Sequence, residues 1–78
     1  MKAEVGKNYT HYKNGNVYTV IAIGRLEAKP DEEYVVYSAG YDASAVGNNA
    51  TWIRLRSVFE EEIDHNGVLM HRFTHIDA

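Results

Sequence analysis

The chain has 78 residues, a formal net charge of -3 and no cysteine, which limits it to one domain and excludes disulfides and thiolate chemistry. No segment reaches the roughly 20 apolar residues of a membrane-spanning helix, and the polar first residues lack the apolar stretch of a signal peptide. We therefore expect a cytoplasmic protein without membrane contact, folded as one β-barrel domain over residues 1–78 with an ordered core at about 6–76.

The first predicted element is a β-hairpin around Asn14-Gly15. Asn-Gly favours a two-residue type I′ turn, because both central positions of that turn need a positive φ. Such a turn would place His11 opposite Tyr18, between strands at residues 9–13 and 16–24. Both faces of this hairpin are partly apolar, which favours strands that curl into a barrel over a flat sheet with one wet side.

Five segments follow before the second hairpin. Leu26–Glu32 holds the only proline and is predicted to be a charged loop, whereas Glu33–Ala39 and Thr51–Leu55 are rich in β-branched and aromatic residues and are predicted strands. Asp42–Ala50 is small and polar and is predicted to be a mobile loop. Residues 56–60 fit a single helical turn that their serine could cap.

The second hairpin is predicted around Asn66-Gly67, between strands at residues 60–65 and 68–74. A two-residue turn would place Glu62 opposite His71, and in the same register Glu61 would lie opposite Arg72. Oppositely charged cross-strand pairs stabilise a hairpin. Short strands every eight to twelve residues predict a small all-β barrel or sandwich.

The order of four motifs resembles a known family. The motifs are Tyr9-Thr10-His11-Tyr12-Lys13 with Gly15, Tyr18 and Val20; Glu33–Tyr37; Trp52, Arg54, Phe59 and Glu61; and Arg72-Phe73. In this pattern the chain is similar to domain-of-unknown-function family 1653 (DUF1653), a group of short bacterial and phage proteins. The resemblance implies an SH3-like barrel, here of about five to six antiparallel strands with at most one short helical turn, and it implies no established activity.

The leading candidate for a binding surface is the pair Trp52 and Arg54. Residues two apart on a strand share a face, and an aromatic plate beside a guanidinium suits a carboxylate, a phosphate, a base or a peptide. The alternative is structural, with Trp52 covering the core and Arg54 lying over it through its aliphatic stem.

His11 and three tyrosines, Tyr9, Tyr18 and Tyr37, complete the candidate binding residues. His11 could donate a hydrogen bond in a pocket, or it could be a half-buried histidine packed on tyrosine. If His11 faces a groove together with Trp52 and Arg54, the three would form a polar aromatic site.

The sequence predicts no catalytic residues, no cofactor and no metal site. His71 and His75 have a helical zinc-ligand spacing, but in a strand they would lie about 13 Å apart, too far to share one ion. The acidic run at residues 60–64 is best explained as a solvated strand end. No serine has a nucleophile-elbow context, and no glycine-rich phosphate loop is present.

Three functions remain open at this point. The favoured one is a non-catalytic module that recognises a protein segment through Trp52, Arg54 and neighbouring tyrosines. The second is nucleic-acid or nucleotide binding by aromatic stacking, with phosphates held by basic residues: Lys13, Arg25, Arg54 and Arg56. The third is a small-ligand sensor or accessory enzyme with His11 in a pocket. Exposed edge strands also leave a homodimer open as an assembly.

Overall fold

The structure, a computed structural model, describes residues 2–39 and 50–77. Within these ranges there are seven strands and one short helix: β1 (Asn8–His11), β2 (Val17–Leu26), β3 (Lys29–Ala39), β4 (Thr51–Leu55), α1 (Arg56–Phe59), β5 (Glu62–His65), β6 (Val68–His71) and β7 (Phe73–Ile76). The strands predicted at Glu33–Ala39 and Thr51–Leu55 are confirmed. The predicted loop Asp42–Ala50 lies outside the described residues, except for Ala50.

The strands form two antiparallel sheets. Five of them pair in the order β4-β3-β2-β1-β7, and β5 and β6 form a separate two-stranded sheet. The prediction of an all-β fold with a short helical turn is therefore confirmed. In the part of the chain that the structure describes, β4 and β7 at the two margins do not pair, so the sheet is open and compatible with an SH3-like barrel that is not closed.

The second hairpin has the predicted turn and register. Asn66 and Gly67 both have positive φ, at 54° and 81°, as a type I′ turn requires. Glu62 lies opposite His71, and one residue further the guanidinium of Arg72 lies 3.7 Å from the carboxylate of Glu61. The structure thus contains both features that predicted this hairpin, the Asn66-Gly67 turn and the pairing of acidic with basic residues across the strands.

The first turn is not the two-residue turn that the sequence predicts. Only Gly15 has a positive φ, at 71°, and its N–H donates to the carbonyl of His11 at 2.8 Å. The side-chain oxygen of Asn14 accepts the N–H of Asn16 at 2.9 Å, as asparagine does when it stabilises a turn through its own side chain. The loop therefore holds four residues, 12–15.

The longer loop moves the register of the first hairpin by two positions. Tyr18 lies opposite Tyr9 and not opposite His11. Because side chains alternate with a period of two, an even shift keeps Tyr9, Tyr18 and Val20 together on one face, as the predicted register also does. Tyr9, Tyr18 and Val20 accordingly all face the core.

The prediction of a loop at Leu26–Glu32 is wrong. β2 continues to Leu26 and β3 begins at Lys29, so that only residues 27–28 form the turn. The ladder passes directly from the pair Arg25 and Glu33 to the pair Leu26 and Lys29. Pro30 lies in this irregular stretch, where the absence of a backbone N–H costs no ladder hydrogen bond.

The predicted helical turn forms as α1, but Ser57 does not cap it. The N-cap residue is Leu55, and no side chain caps the helix. The carboxylate of Glu60 is instead bound by the Arg56 side chain at 2.8 Å and by the N–H of Ala3 at 2.7 Å. These contacts fasten the first residues of the chain to the end of α1.

The predicted last strand, 68–74, is divided at Arg72. β6 ends at His71 and pairs with β5, whereas β7 begins at Phe73 and pairs with β1. A bend at Arg72 separates them. The chain thus leaves the two-stranded sheet and enters the five-stranded sheet within three residues. The segment with His71 and His75 is extended, as predicted.

Candidate functional site

One face of the five-stranded sheet carries all the predicted site residues. Trp52 lies opposite Tyr37 on the neighbouring strand, and Tyr37 in turn lies opposite Val20. Residues opposite each other in a ladder share a face. By the same rule Tyr18 and Tyr9 lie on this face, and so do His11 and Phe73. We call it the inner face.

One part of the inner face is filled and forms the core. Among the residues that the structure describes, the buried ones are Ala3, Tyr9, Tyr18, Val20, Val35, Tyr37, Ala39, Phe59 and Phe73. Phe59 reaches from α1 and is fully buried. Its ring stacks on Phe73 with a centroid distance of 4.0 Å and an interplanar angle of 10°. Residues from α1, β1, β2, β3 and β7 therefore meet at this stack.

The other part of the inner face is a concave pocket of about 220 Å³. Its lining, which we call the aromatic pocket, consists of His11, Asn14, Tyr18, Tyr37, Trp52, Arg54 and Phe73. Tyr18 and Tyr37 are almost fully buried, whereas Trp52 keeps 40 % of its surface exposed. The pocket thus has a fixed aromatic base and an accessible indole on one side.

The rings at the base hold one another at edge-to-face angles. The Tyr18 ring lies 5.4 Å from that of Tyr37 at 83°, and the rings of Tyr18 and Tyr37 lie 5.9 and 5.6 Å from Phe73. This geometry is the favourable one for aromatic pairs. Because the same rings belong to the core, the base of the pocket is as fixed as the core itself.

Arg54 is the one charged side chain among the described residues that line the pocket. Its guanidinium carbon lies 5.5 Å from the centroid of Phe73, within the range of a cation–π contact. The ring under Arg54 is therefore that of Phe73 and not the indole of Trp52.

His11 lies at the margin of the pocket and is partly buried. Its ring packs on Phe73 at 4.9 Å in an edge-to-face arrangement, and its Nδ1 accepts the N–H of Lys13 at 3.2 Å. Partial burial lowers the pKa of His11, and the positive charges of Arg54 and Arg72 lower it further. A neutral imidazole with this bond carries its proton on Nε2, as a donor.

Five of the six predicted site residues line the same pocket: His11, Tyr18, Tyr37, Trp52 and Arg54. Tyr9, the sixth, is on the inner face but belongs to the core. It is 1 % exposed, and its ring meets Phe59 edge-to-face. Its hydroxyl accepts the N–H of Glu4 at 2.9 Å, so it fastens the first residues of the chain.

Two lining residues, Asn14 and Phe73, were absent from the predicted site. The sequence pattern assigns Asn14 to a turn only. Phe73 reaches the pocket because β7 pairs with β1 and lies opposite His11, a contact between the two ends of the chain that no local pattern signals. Its place directly after Arg72 in the fourth motif was the one available indication.

Within residues 2–39 and 50–77, no group of three or more histidine and acidic side chains is arranged to hold a metal ion. In the same part of the chain no helix is long and apolar enough to span a membrane.

The fold and the pocket define a small antiparallel β domain whose inner face ends in an aromatic pocket. The chain belongs to the family described as "Protein of unknown function (DUF1653)", whose sequence profile matches residues 7–75. The resemblance drawn from the four motifs is thereby confirmed at the level of the family. Searches of the curated proteins and of the solved structures gave no match.

Proposed function

We propose that this domain is a non-catalytic binding module and that the aromatic pocket receives one side chain of a protein segment. The observation that carries the proposal is the convergence of His11 from β1 with Trp52 and Arg54 from β4, two distant segments of the chain, on one concave site. Aromatic residues and arginine dominate the binding energy of protein interfaces, and here both stand at one opening.

The size of the pocket fits one side chain. Pockets for drug-sized ligands measure about 300 to 1,000 Å³, whereas this one holds about 220 Å³. An apolar cavity of about 150 Å³ is large enough for one benzene molecule. A planar or aromatic side chain therefore fits, with the remainder of the segment lying across the exposed edge of Trp52.

The positions of the basic residues favour a protein partner over nucleic acid. Arg25 and Arg56, two of the residues considered for phosphate contacts, both pair with Glu33. Arg54 lies apart from them, in the pocket. A single-stranded nucleic acid needs a continuous basic groove along its backbone, and the net charge of -3 opposes such binding.

The cellular setting of the module is part of the proposal. A cysteine-free chain suits the reducing cytoplasm, and the family resemblance favours a bacterial or phage protein. A homodimer through an edge strand is compatible with the same function. Sedimentation of the purified protein measures the assembly, and a monomer at micromolar concentration would exclude the dimer.

A displayed library of random peptides tests the proposal. Peptides selected on the immobilised domain are synthesised, and their affinities are measured by calorimetry for the wild type and for Trp52→Ala. We expect Trp52→Ala to weaken binding about tenfold or more, the loss typical of a central anchor residue.

The matched control is Ile53→Ala, because Ile53 is the next residue on β4, points away from Trp52 and is 67 % exposed. Peptide affinities that fall equally in both variants, or a library that yields no peptide dependent on Trp52, would contradict the proposal. Tight, strongly salt-sensitive binding of single-stranded oligonucleotides would favour the nucleic-acid alternative.

A further inference from the structure

The arginines of this domain differ in what they bind. Arg25 and Arg56 lie 3.6 and 3.3 Å from Glu33, and Arg72 lies 3.7 Å from Glu61. Arg54 has no carboxylate within 4 Å among the described residues, although it is half-buried. A guanidinium kept out of bulk water without a counter-charge is an open position for an anion.

The other polar groups of the pocket can donate as well, and the hydroxyls of Tyr18 and Tyr37 can both donate and accept. Nδ1 of His11 is occupied by the Lys13 N–H, which leaves Nε2–H as a donor of the neutral ring. The side-chain oxygen of Asn14 accepts a hydrogen bond from the loop, which leaves its amide NH₂ group, and the indole of Trp52 can only donate. No aspartate or glutamate lines the pocket in the described ranges.

We propose that the segment bound in the aromatic pocket presents a carboxylate to Arg54, next to the planar group that fills the pocket. This inference rests on the proposed function. A carboxylate is an acceptor-only group that a guanidinium binds with two parallel hydrogen bonds, so it matches a pocket whose polar groups can all donate and in which no carboxylate competes among the described residues. The pocket offers one guanidinium, which suits a group of charge minus one, whereas phosphate groups are bound by clusters of arginines.

The carboxylate can belong to an aspartate or glutamate side chain or to the C-terminus of the bound chain. The chemistry toward Arg54 is the same for both sources. A peptide resynthesised with an amidated C-terminus tests the second source, and one with its acidic residues replaced by asparagine or glutamine tests the first.

The test needs no variant protein in its first step. Phenylacetate and phenylacetamide have the same ring and nearly the same shape, and only the first carries a charge. Their affinities for the wild type are measured by NMR titration of the Trp52 indole N–H. We expect phenylacetate to bind about tenfold more tightly, because hydrogen bonds between charged groups are roughly twice as strong as neutral ones.

Arg54→Gln then removes the charge, with Lys29→Gln as the matched control. Lys29 is exposed and pairs with Glu32 outside the pocket, so its loss changes the net charge equally. We expect Arg54→Gln to abolish the preference for phenylacetate over the amide, Arg54→Lys to restore part of it, and Lys29→Gln to retain it. Thermal melts establish that each variant is folded.

The outcomes separate this inference from the proposed function. Equal binding of phenylacetate and phenylacetamide would overturn the carboxylate and leave the ring pocket in place. A preference for phenylacetate that persists in Arg54→Gln would overturn the role of Arg54. If neither compound shifts the Trp52 signal, the pocket does not accept a ring, and both proposals fail.

Discussion

Aromatic side chains lie in both halves of the inner face of the five-stranded sheet, but one half is buried and the other is open to solvent. In one half, Phe59 projects from α1 and stacks on Phe73, and with Val20 and Val35 it is excluded from solvent. In the other half, Trp52 stays 40 % exposed. Both halves carry aromatic rings, and among the described residues α1 packs on only one of them.

The comparison indicates how so small a domain can hold both a core and a pocket. A chain of this length buries only a modest part of its surface on folding. Here the core and the pocket share Tyr18, Tyr37 and Phe73. The residues that stabilise the fold are therefore also those that give the pocket its shape. Four further residues line the pocket without belonging to the core: His11, Asn14, Trp52 and Arg54.

Removal of the Phe59 ring, which projects from α1, should lower the free energy of unfolding more than the other substitutions. We expect Phe59→Ala to lower the free energy of unfolding by about 3 to 5 kcal/mol, because it leaves a cavity against Phe73 in the centre of the core. Urea denaturation followed by circular dichroism measures the change. Phe59→Leu, which keeps most of the apolar volume, should cost less and should fold even if Phe59→Ala does not. A loss below about 1 kcal/mol for Phe59→Ala would contradict the division of the inner face.

Glu60→Gln should have an intermediate effect on stability. The carboxylate of Glu60 joins Arg56 to the N–H of Ala3, and hydrogen bonds to a charged group contribute about 1.5 to 3 kcal/mol in general. Its partial exposure reduces this, and we expect a loss of about 1 to 2 kcal/mol at pH 7 in urea denaturation. Glu27→Gln, at an exposed position in the turn between β2 and β3, is the control and should be nearly neutral.

The same carboxylate gives a pH dependence of known sign. Burial by itself raises the pKa of Glu60, but the hydrogen bonds from Arg56 and from Ala3 N–H lower it below its usual value of 4.5. As the pH falls, Glu60 therefore takes up its proton at a higher pH in the unfolded chain than in the folded protein. The contribution of Glu60 is fully present above pH 4.5 and is lost as the pH falls through the lower pKa of the folded state. The stability difference between wild type and Glu60→Gln should shrink in that window, and a difference that stays constant from pH 7 to pH 3 would argue against this role.

Substitution in the half of the inner face that is open to solvent should change the free energy of unfolding least. We expect Trp52→Ala to alter the free energy of unfolding by less than about 1 kcal/mol, because exposed positions contribute little to stability. Thermal and urea denaturation of this variant beside Phe59→Ala measure the contrast directly. A loss from Trp52→Ala as large as that from Phe59→Ala would mean that the indole belongs to the core, as in the structural alternative for this residue.

Local turn chemistry predicted the turn at Asn66-Gly67 correctly, but it predicted too short a loop at Asn14-Gly15. Asn66-Gly67 adopts two positive φ angles, as the dipeptide favours. At Asn14-Gly15 the asparagine side chain competes for the N–H of Asn16, which stabilises a longer loop. The error was harmless for the inner face because it moved the register by an even number of residues.

The sequence predicted most of the individual site residues, but it could not show that they meet in one pocket. The aromatic and arginine pattern of β4 identified Trp52 and Arg54, and the alternation of β1 placed His11 with the tyrosines. Their convergence depends on the order β4-β3-β2-β1-β7, which is set by contacts between distant segments. Phe73 lies 62 residues from His11 in the chain and opposite it in the sheet, and for that reason it was missed.

The antiparallel pairing of β1 with β7 also decides where attachments to this domain can be made. Asn8 lies opposite Ile76 at one end of the ladder, and His11 lies opposite Phe73 at the other. Three residues of extended strand separate the two ends by about 10 Å. A fusion partner or a biosensor surface joined after β7 is thus attached at the end of the ladder that is remote from His11 and Phe73 of the aromatic pocket.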